Sequence, residues 1–165
     1  MIHQFLFEPI HMLAKDILIK NLALILSYPV TYGIIILLVI WTLFFSSRKI
    51  YTFSLLFLTG LTAWFVAHFI KVMLRVPRPF VEMHFTPLQF EPGFSFPSEH
   101  MTVLIALAFA VSLVHKKFGG VLLAVALAVG ISRIIIGVHY PVDILGGALL
   151  GYLVYLPYKK IFRKL

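Results

Sequence analysis

Residues 130–147 read GISRIIIGVHYPVDILGG, an apolar stretch that carries Arg133, His139 and Asp143 at fixed intervals. Ionisable residues inside or beside a membrane span are energetically costly, and they usually mark a functional site. Pro141 suits the first turn of a helix, where its missing N–H is not needed. The stretch therefore predicts the end of one apolar helix, a short polar junction and the start of a second apolar helix.

The rest of the chain has the composition of a membrane protein. Of its 165 residues, 61% are hydrophobic and 12% are charged, and the mean hydropathy is +1.02. A soluble domain of this length needs far more polar surface. The chain is too short for two membrane domains, so we expect a single domain over residues 1–165. It contains no cysteine, which excludes disulfide and thiol chemistry.

Five apolar runs approach the length of about 20 residues that a helix needs to cross a bilayer. They lie at residues 29–46, 51–70, 98–114, 119–138 and 141–158. The segment before residue 29 has an amphipathic pattern, which is typical of a helix that lies in the membrane interface. We therefore expect an all-α, polytopic helix bundle with a transmembrane core over residues 29–165. Residues 1–28 form an amphipathic or partly embedded helix, and a sixth span reaching back to residue 17 stays open.

Basic residues follow the first, third and fifth apolar runs, and no acidic residue accompanies them. They are Arg48, Lys49, Lys116, Lys117, Lys159, Lys160, Arg163 and Lys164. Because positive residues accumulate on the cytoplasmic side of membrane proteins, these positions predict a cytoplasmic C-terminus. The formal net charge of +8 is then a signal of topology, and we expect no binding of nucleic acid.

Polar residues from three separate segments converge on the opposite face of the bundle. Lys71, Arg78 and Arg133 are fixed cations, and such a set suits a multiply charged anion such as phosphate. Ser98 is a good N-cap for the third run, and a helix N-terminus offers free N–H groups to a phosphate. His100 falls in the first turn of the same helix, where it can face the same pocket.

A histidine and a carboxylate complete the group of candidate site residues. Asp143 follows His139 by four residues, so a helix that begins near residue 140 lets the carboxylate reach the imidazole. A nucleophile oriented by a second group is the arrangement used in covalent catalysis. The other histidines have no partner at a suitable spacing. We therefore expect His68 to serve packing or the membrane interface, and His11 to lie at the surface.

Three sequence motifs resemble those of the type 2 phosphatidic acid phosphatase superfamily, which includes membrane lipid phosphatases and soluble vanadium haloperoxidases. They are KVMLRVPRP at 71–79, PSEH at 97–100 and SRIIIGVHYPVD at 132–143. The order and the gaps of the motifs match the family pattern. The resemblance implies a haloperoxidase-like helical core and a phosphatase activity.

The resemblance also implies a role for each motif residue. His139 would be the nucleophile that forms a phosphohistidine, Asp143 would orient it, and His100 would protonate the leaving oxygen and then activate water. The phosphate oxygens would be held by Lys71, Arg78, Ser98 and Arg133. Positioning and charge stabilisation account for most phosphoryl transfer catalysis, so we expect no metal and no cofactor.

One position departs from the family pattern, because Glu99 stands where the second motif usually has glycine. An acidic residue there resembles the bacterial undecaprenyl pyrophosphate phosphatases of the bacitracin-resistance type and makes Glu99 a candidate specificity residue. The resemblance then implies a multi-pass protein of the plasma (inner) membrane. Its extracytoplasmic site would convert undecaprenyl pyrophosphate to undecaprenyl phosphate while the lipid tail stays in the bilayer.

Three alternatives stay open. The substrate could instead be phosphatidate or phosphatidylglycerophosphate, which changes the lipid and leaves the chemistry the same. A catalytically silent protein that binds a lipid phosphate is a second alternative, from another class. A small channel or transporter is the third, and the lack of an internal repeat among the spans disfavours it.

Overall fold

The computed structural model describes residues 2–162, and within that range the chain forms eight α-helices and no strand. The helices are α1 (Ile2–His11), α2 (Ile17–Ile25), α3 (Thr31–Phe45), α4 (Lys49–Leu74), α5 (Pro79–Glu82), α6 (Glu99–Val114), α7 (Lys116–Ile135) and α8 (Pro141–Phe162). Two of the predicted basic residues, Arg163 and Lys164, lie outside the described residues.

Four segments are long and apolar enough to cross a membrane: Ile17–Phe45, Lys49–Glu82, Lys116–Ile135 and Pro141–Phe162. The remaining apolar helix, α6, has 16 residues, and it packs against α4, α7 and α8. Large apolar side chains cover the outside of the bundle, as lipid-facing surfaces require. The predicted all-helical membrane bundle is confirmed.

The first span begins earlier than predicted. Helix α2 runs through a π-helical turn at Leu26–Val30 directly into α3, so one helical segment extends from Ile17 to Phe45. Asp16 starts this segment, because its carboxylate accepts hydrogen bonds from the backbone N–H groups of residues 18 and 19 at 2.8 and 3.0 Å. The segment therefore reaches back to residue 17, the alternative that the sequence left open, and does not begin at residue 29. Pro29 lies inside the π turn, whose wider hydrogen-bond pattern accommodates a residue without an N–H.

Helix α1 packs against α7 and contributes a side chain to the core. Phe7 is fully buried, and the His11 ring stacks on it with 5.1 Å between ring centroids. Nδ1 of His11 lies 2.8 Å from the carbonyl oxygen of Ile135, within hydrogen-bond distance. The prediction that His11 lies at the surface is wrong, because the fold places an acceptor 124 residues away beside it.

Helices α6 and α8 approach each other through two glycines one turn apart. A Cβ atom at Gly147 would lie 2.7 Å from the Ser98 carbonyl oxygen, and one at Gly151 would overlap the carbonyl oxygen of Thr102. A small-residue face at these two glycines allows such close backbone contact in membrane helices. The Ser98 N–H also donates to the Asp143 carbonyl oxygen at 3.1 Å, which ties the first residues of the two helices together.

The helix junctions that carry basic residues lie at one end of the bundle. Tyr51, near the start of α4, donates from its hydroxyl to the carbonyl oxygen of Phe162 at the end of α8, at 2.6 Å. Trp41 of α3 makes an edge-to-face contact with Phe118 of α7. The end of α4 and the starts of α6 and α8 therefore lie at the opposite end.

Candidate active site

Charged and polar side chains from α4, α6, α7 and α8 are buried together at that opposite end. Arg78 and Arg133 are the largest side chains in the described structure that are fully enclosed, at 1% and 0% exposure. The other buried residues of the predicted set are Lys71, Ser98, His139 and Asp143. Since buried charges need partners, each group is expected to have a specific contact or to face a ligand.

The junction between α7 and α8 sets the position of His139. Gly137 adopts a φ of +88°, in the left-handed region that favours glycine, and this turn leads the chain to the histidine. Helix α8 begins at Pro141, so Asp143 falls in its first turn. Oδ2 of Asp143 faces Nδ1 of His139 at 3.3 Å. The same oxygen accepts from the Tyr140 N–H at 2.7 Å and from the Ser95 hydroxyl.

These contacts fix the orientation of the imidazole. With Nδ1–H donated to Asp143, the lone pair of the neutral ring lies on Nε2. Nε2 is 3.5 Å from Nη1 of Arg78. The ring therefore presents its nucleophilic nitrogen to the cationic part of the site.

Burial and charge both favour the neutral form of His139. The side chain is fully buried, and burial holds its pKa well below the ordinary histidine value. The positive charges of Arg133, Arg78 and Lys71 lower the pKa further. A neutral imidazole keeps the lone pair that nucleophilic attack requires.

Both buried guanidinium groups share one carboxylate, that of Glu91. Nη2 of Arg78 donates to Oε1 of Glu91 at 2.6 Å, and Nη2 of Arg133 donates to Oε2. The hydroxyl of Tyr28 also donates to Oε2. The sequence placed Glu91 on this face of the bundle but assigned it no role. The signal that could have identified Glu91 is that two buried arginines need a negatively charged partner.

The extended first span contributes directly to this cluster. The Ser27 hydroxyl accepts from Nη1 of Arg133 at 2.7 Å, and the Tyr28 ring lies 4.7 Å from the guanidinium carbon of Arg133. Sequence reasoning missed both residues. Within the described part of the chain, Nε of Arg133 is buried without a hydrogen-bond partner.

Ser98 occupies the predicted N-cap position of α6, but its side chain makes no capping hydrogen bond. Its hydroxyl is buried and has no partner among the residues that the structure describes. The predicted capping bond is therefore absent, and the hydroxyl is available to a ligand. His100 lies in the first turn of α6, half buried, with its ring edge-to-face against Tyr28.

Glu99 is directed towards α4. Its Oε1 lies 3.0 Å from Nδ1 of His68 and 3.7 Å from Nζ of Lys71. His68 thus packs on Trp64, in line with the packing role expected for it, and also has a polar partner 31 residues away along the chain that the sequence did not indicate. No spacing rule connects His68 to Glu99, because the fold brings α4 and α6 together.

Comparisons with known proteins identify the family of the chain. The pattern of the PAP2 superfamily matches residues 49–165. Undecaprenyl-diphosphatase BcrC of Bacillus subtilis is 31% identical over 153 residues, which cover 90% of this chain and 78% of that protein. Bacitracin transport permease protein BcrC of Bacillus licheniformis is 54% identical over 59 residues, 36% of this chain and 29% of that protein. The aligned segment therefore spans less than a third of the Bacillus licheniformis protein.

The solved structure of LpxE from Aquifex aeolicus has the same fold, with a TM-score of 0.76 and 26% sequence identity. The match covers 95% of this chain and 94% of that chain. The residues that match the PAP2 superfamily, 49–165, include all three sequence motifs. The chain therefore belongs to the PAP2 superfamily and is an integral membrane hydrolase of that superfamily.

Proposed function

We propose that the chain hydrolyses undecaprenyl pyrophosphate to undecaprenyl phosphate at the extracytoplasmic surface of the plasma membrane. The observation that carries the proposal is the buried His139. Its Nδ1 faces Asp143 and its Nε2 lies 3.5 Å from a nitrogen of Arg78. This arrangement supplies an oriented, neutral nucleophile beside a fixed positive charge, which suits attack on a phosphorus atom.

In the first step, the lone pair of His139 Nε2 attacks the terminal phosphorus. The N–P bond forms as the bond from that phosphorus to the bridging oxygen breaks, and undecaprenyl phosphate leaves. The protonated His100 gives its proton to the leaving oxygen. The product of this step is a phosphohistidine.

In the second step, water attacks the phosphohistidine. His100 now acts as the base and takes the proton of the water, while the N–P bond breaks and inorganic phosphate leaves. The cycle restores a neutral His139 and a protonated His100. The net reaction consumes one water and releases one phosphate.

Fixed donors stabilise the charge on the phosphate oxygens in both steps. The hydroxyl of Ser98 and Nε of Arg133 have no partner in the described residues and are available to phosphate oxygens. Lys71 and Arg78 add positive charge beside them, although the N–H groups of Arg78 are engaged with Glu91, backbone carbonyls and His139. Such preorganised donors need no reorganisation during the reaction. The proposed reaction therefore requires no metal and no cofactor.

Three observations favour a lipid diphosphate as the substrate. The relative from Bacillus subtilis carries the name undecaprenyl-diphosphatase. Glu99 occupies the second motif in place of glycine. The site lies at the end of a membrane helix bundle, so an apolar tail can stay in the bilayer. The basic residues at the other end of the bundle favour an extracytoplasmic site and a cytoplasmic C-terminus.

The test is phosphate release by the purified protein in detergent. Undecaprenyl pyrophosphate, undecaprenyl phosphate, phosphatidate and phosphatidylglycerophosphate are compared side by side, with His139→Ala as the blank. We expect release from undecaprenyl pyrophosphate, with none in the variant. Faster release from phosphatidate or phosphatidylglycerophosphate would favour those lipids, and no release from any substrate would favour a non-catalytic lipid-phosphate-binding protein.

A further inference from the structure

An apolar groove runs along α4 and ends at the candidate active site. It has a volume of about 430 Å³ and lies between α3, α4 and α6. Its lining on α4 includes Phe53, Phe57, Gly60 and Trp64. At the end next to the site, the lining includes Glu99 and His100, the first two residues of α6. The groove therefore joins an apolar surface to the proposed proton donor.

The lining residues of α4 belong to a single stripe that continues into the site. Positions 53, 57, 60, 64, 68 and 71 follow one another at intervals of three or four residues, which places them on one face of the helix. Along this stripe the side chains change from aromatic to imidazole, at His68, and then to ammonium, at Lys71. A helix rises about 1.5 Å per residue, so His68 lies about 4.5 Å before Lys71 along the axis.

This order matches the order of groups in a diphosphate lipid. If the terminal phosphoryl group lies with Lys71 and His139, and the tail lies in the groove, the tail-side phosphoryl group falls beside His68. A lipid monophosphate bound in the same way has a carbon atom at that place. His68 would thus contact a phosphoryl group only in a diphosphate substrate.

Two contacts hold the His68 ring in this position. Its Nδ1 lies 3.0 Å from Oε1 of Glu99, and its ring stacks on Trp64 with 5.3 Å between centroids and an interplanar angle of 18°. The side chain is 52% exposed, and Nε2 has no hydrogen-bond partner in the described part of the chain. An imidazolium paired with a carboxylate through Nδ1 can donate its Nε2–H to a phosphate oxygen.

We propose that His68, held by Glu99 and Trp64, binds the tail-side phosphoryl group of a prenyl diphosphate and so selects diphosphates over monophosphates. The inference rests on the proposed function. It also accounts for a carboxylate beside a phosphate site, because Glu99 is engaged with His68 and Lys71. Glu99 then acts as a positioning residue for His68.

The test compares farnesyl diphosphate with farnesyl monophosphate as substrates of the purified protein. We expect His68→Ala to lower the ratio of kcat/KM for diphosphate to kcat/KM for monophosphate by about 10-fold or more, the effect of one hydrogen bond to a charged group. His68→Gln, which keeps a donor without a charge, should give an intermediate ratio. His84→Asn is the matched control, since His84 is exposed and asparagine tolerates its φ of 54°.

Inhibition provides a second measurement on the same proteins. Inorganic pyrophosphate should inhibit the unaltered chain more strongly than inorganic phosphate, and His68→Gln should reduce this preference. An unchanged ratio in both His68 variants, or an equal loss on both substrates, would overturn the inference while the proposed function stands. If the unaltered chain releases phosphate from neither substrate, the proposed function itself fails.

Discussion

The imidazole of His139 lies between an acidic and a basic side chain. Asp143 orients the ring through Nδ1, while Arg78 lies on the side of Nε2. Three cations and full burial disfavour protonation of the ring, so the neutral imidazole is favoured without the help of a separate base. In the proposed mechanism, the same positive charges hold the phosphate oxygens and keep the nucleophile neutral.

The pH dependence of the reaction should reflect this environment. Because the pKa of His139 lies below the ordinary value of 6.5, the ring stays neutral to a lower pH and loses its lone pair only below that point. The rate should also fall as His100 loses the proton it donates, and since burial and the charge of Lys71 lower the pKa of His100, this limb too lies at lower pH than for an ordinary histidine. We expect a bell-shaped profile of kcat/KM, measured from about pH 4 to about pH 9, with the midpoint of the acid limb below 6.5. A flat profile, or an acid limb with its midpoint above 6.5, would contradict this assignment.

Glu91 should matter for stability as well as for substrate binding. Its carboxylate contacts both Arg78 and Arg133, so Glu91→Gln leaves two buried cations with a weaker partner. We expect a loss of about 2 kcal/mol in the free energy of unfolding and a higher KM. Thermal unfolding in detergent and steady-state kinetics measure the two effects, with Glu8→Gln, an exposed position, as the control. A variant as stable as the control would show that the shared carboxylate is dispensable.

Motif spacing explains which site residues the sequence could predict. His139 and Asp143 stand four residues apart at a helix start, so their contact follows from helix geometry. Glu91, Tyr28 and His68 carry no such signal. Each of them meets its partner only because the fold joins distant segments. Glu91 lies 42 residues from Arg133, Tyr28 lies 63 residues from Glu91, and His68 lies 31 residues from Glu99.

Helices α6 and α8 make a close backbone contact beside the candidate active site. Their closeness at Gly147 and Gly151 fixes Ser98 and His100 relative to Asp143. The apolar runs predicted the helices well, because a bilayer leaves few alternatives for such segments. The first helical segment reaches back beyond residue 29, because the π turn at Leu26–Val30 accommodates Pro29.

A methyl group added at Gly151 should disturb the candidate active site indirectly, by displacing α6. Its Cβ would overlap the backbone carbonyl oxygen of Thr102, which cannot move without α6. We expect Gly151→Ala to lower stability by about 1–3 kcal/mol and to reduce kcat as His100 shifts. Gly120→Ala is the matched control, since a Cβ there meets nothing within 4 Å. Equal stability and activity of the two variants would argue against this helix contact as the support of the site.

The whole molecule is polarised, with basic residues at one end and the buried site at the other. The sequence predicted this polarity, because charge and hydropathy depend on composition along the chain rather than on side-chain contacts. The groove along α4 could not be predicted in the same way. Its walls come from three helices, and their packing determines whether a space remains.

Labelling of introduced cysteines tests the orientation. The chain has no cysteine of its own, so single substitutions give a clean signal. Thr86 is exposed near the site, and Lys117 is exposed at the basic end. In intact bacterial cells, an impermeant maleimide should label Thr86→Cys and should label Lys117→Cys only after lysis. Labelling of both variants in detergent is the control, and the reverse pattern in cells would place the site in the cytoplasm.

The central claim, phosphoryl transfer through His139, is tested most directly by trapping the covalent intermediate. The protein is mixed with a prenyl diphosphate labelled in its terminal phosphoryl group, quenched in alkali during the first turnover, and digested for mass spectrometry. We expect the label on the peptide that contains His139 and no labelled protein in His139→Ala. Phosphate release without any labelled histidine, or a label that persists in His139→Ala, would contradict the account.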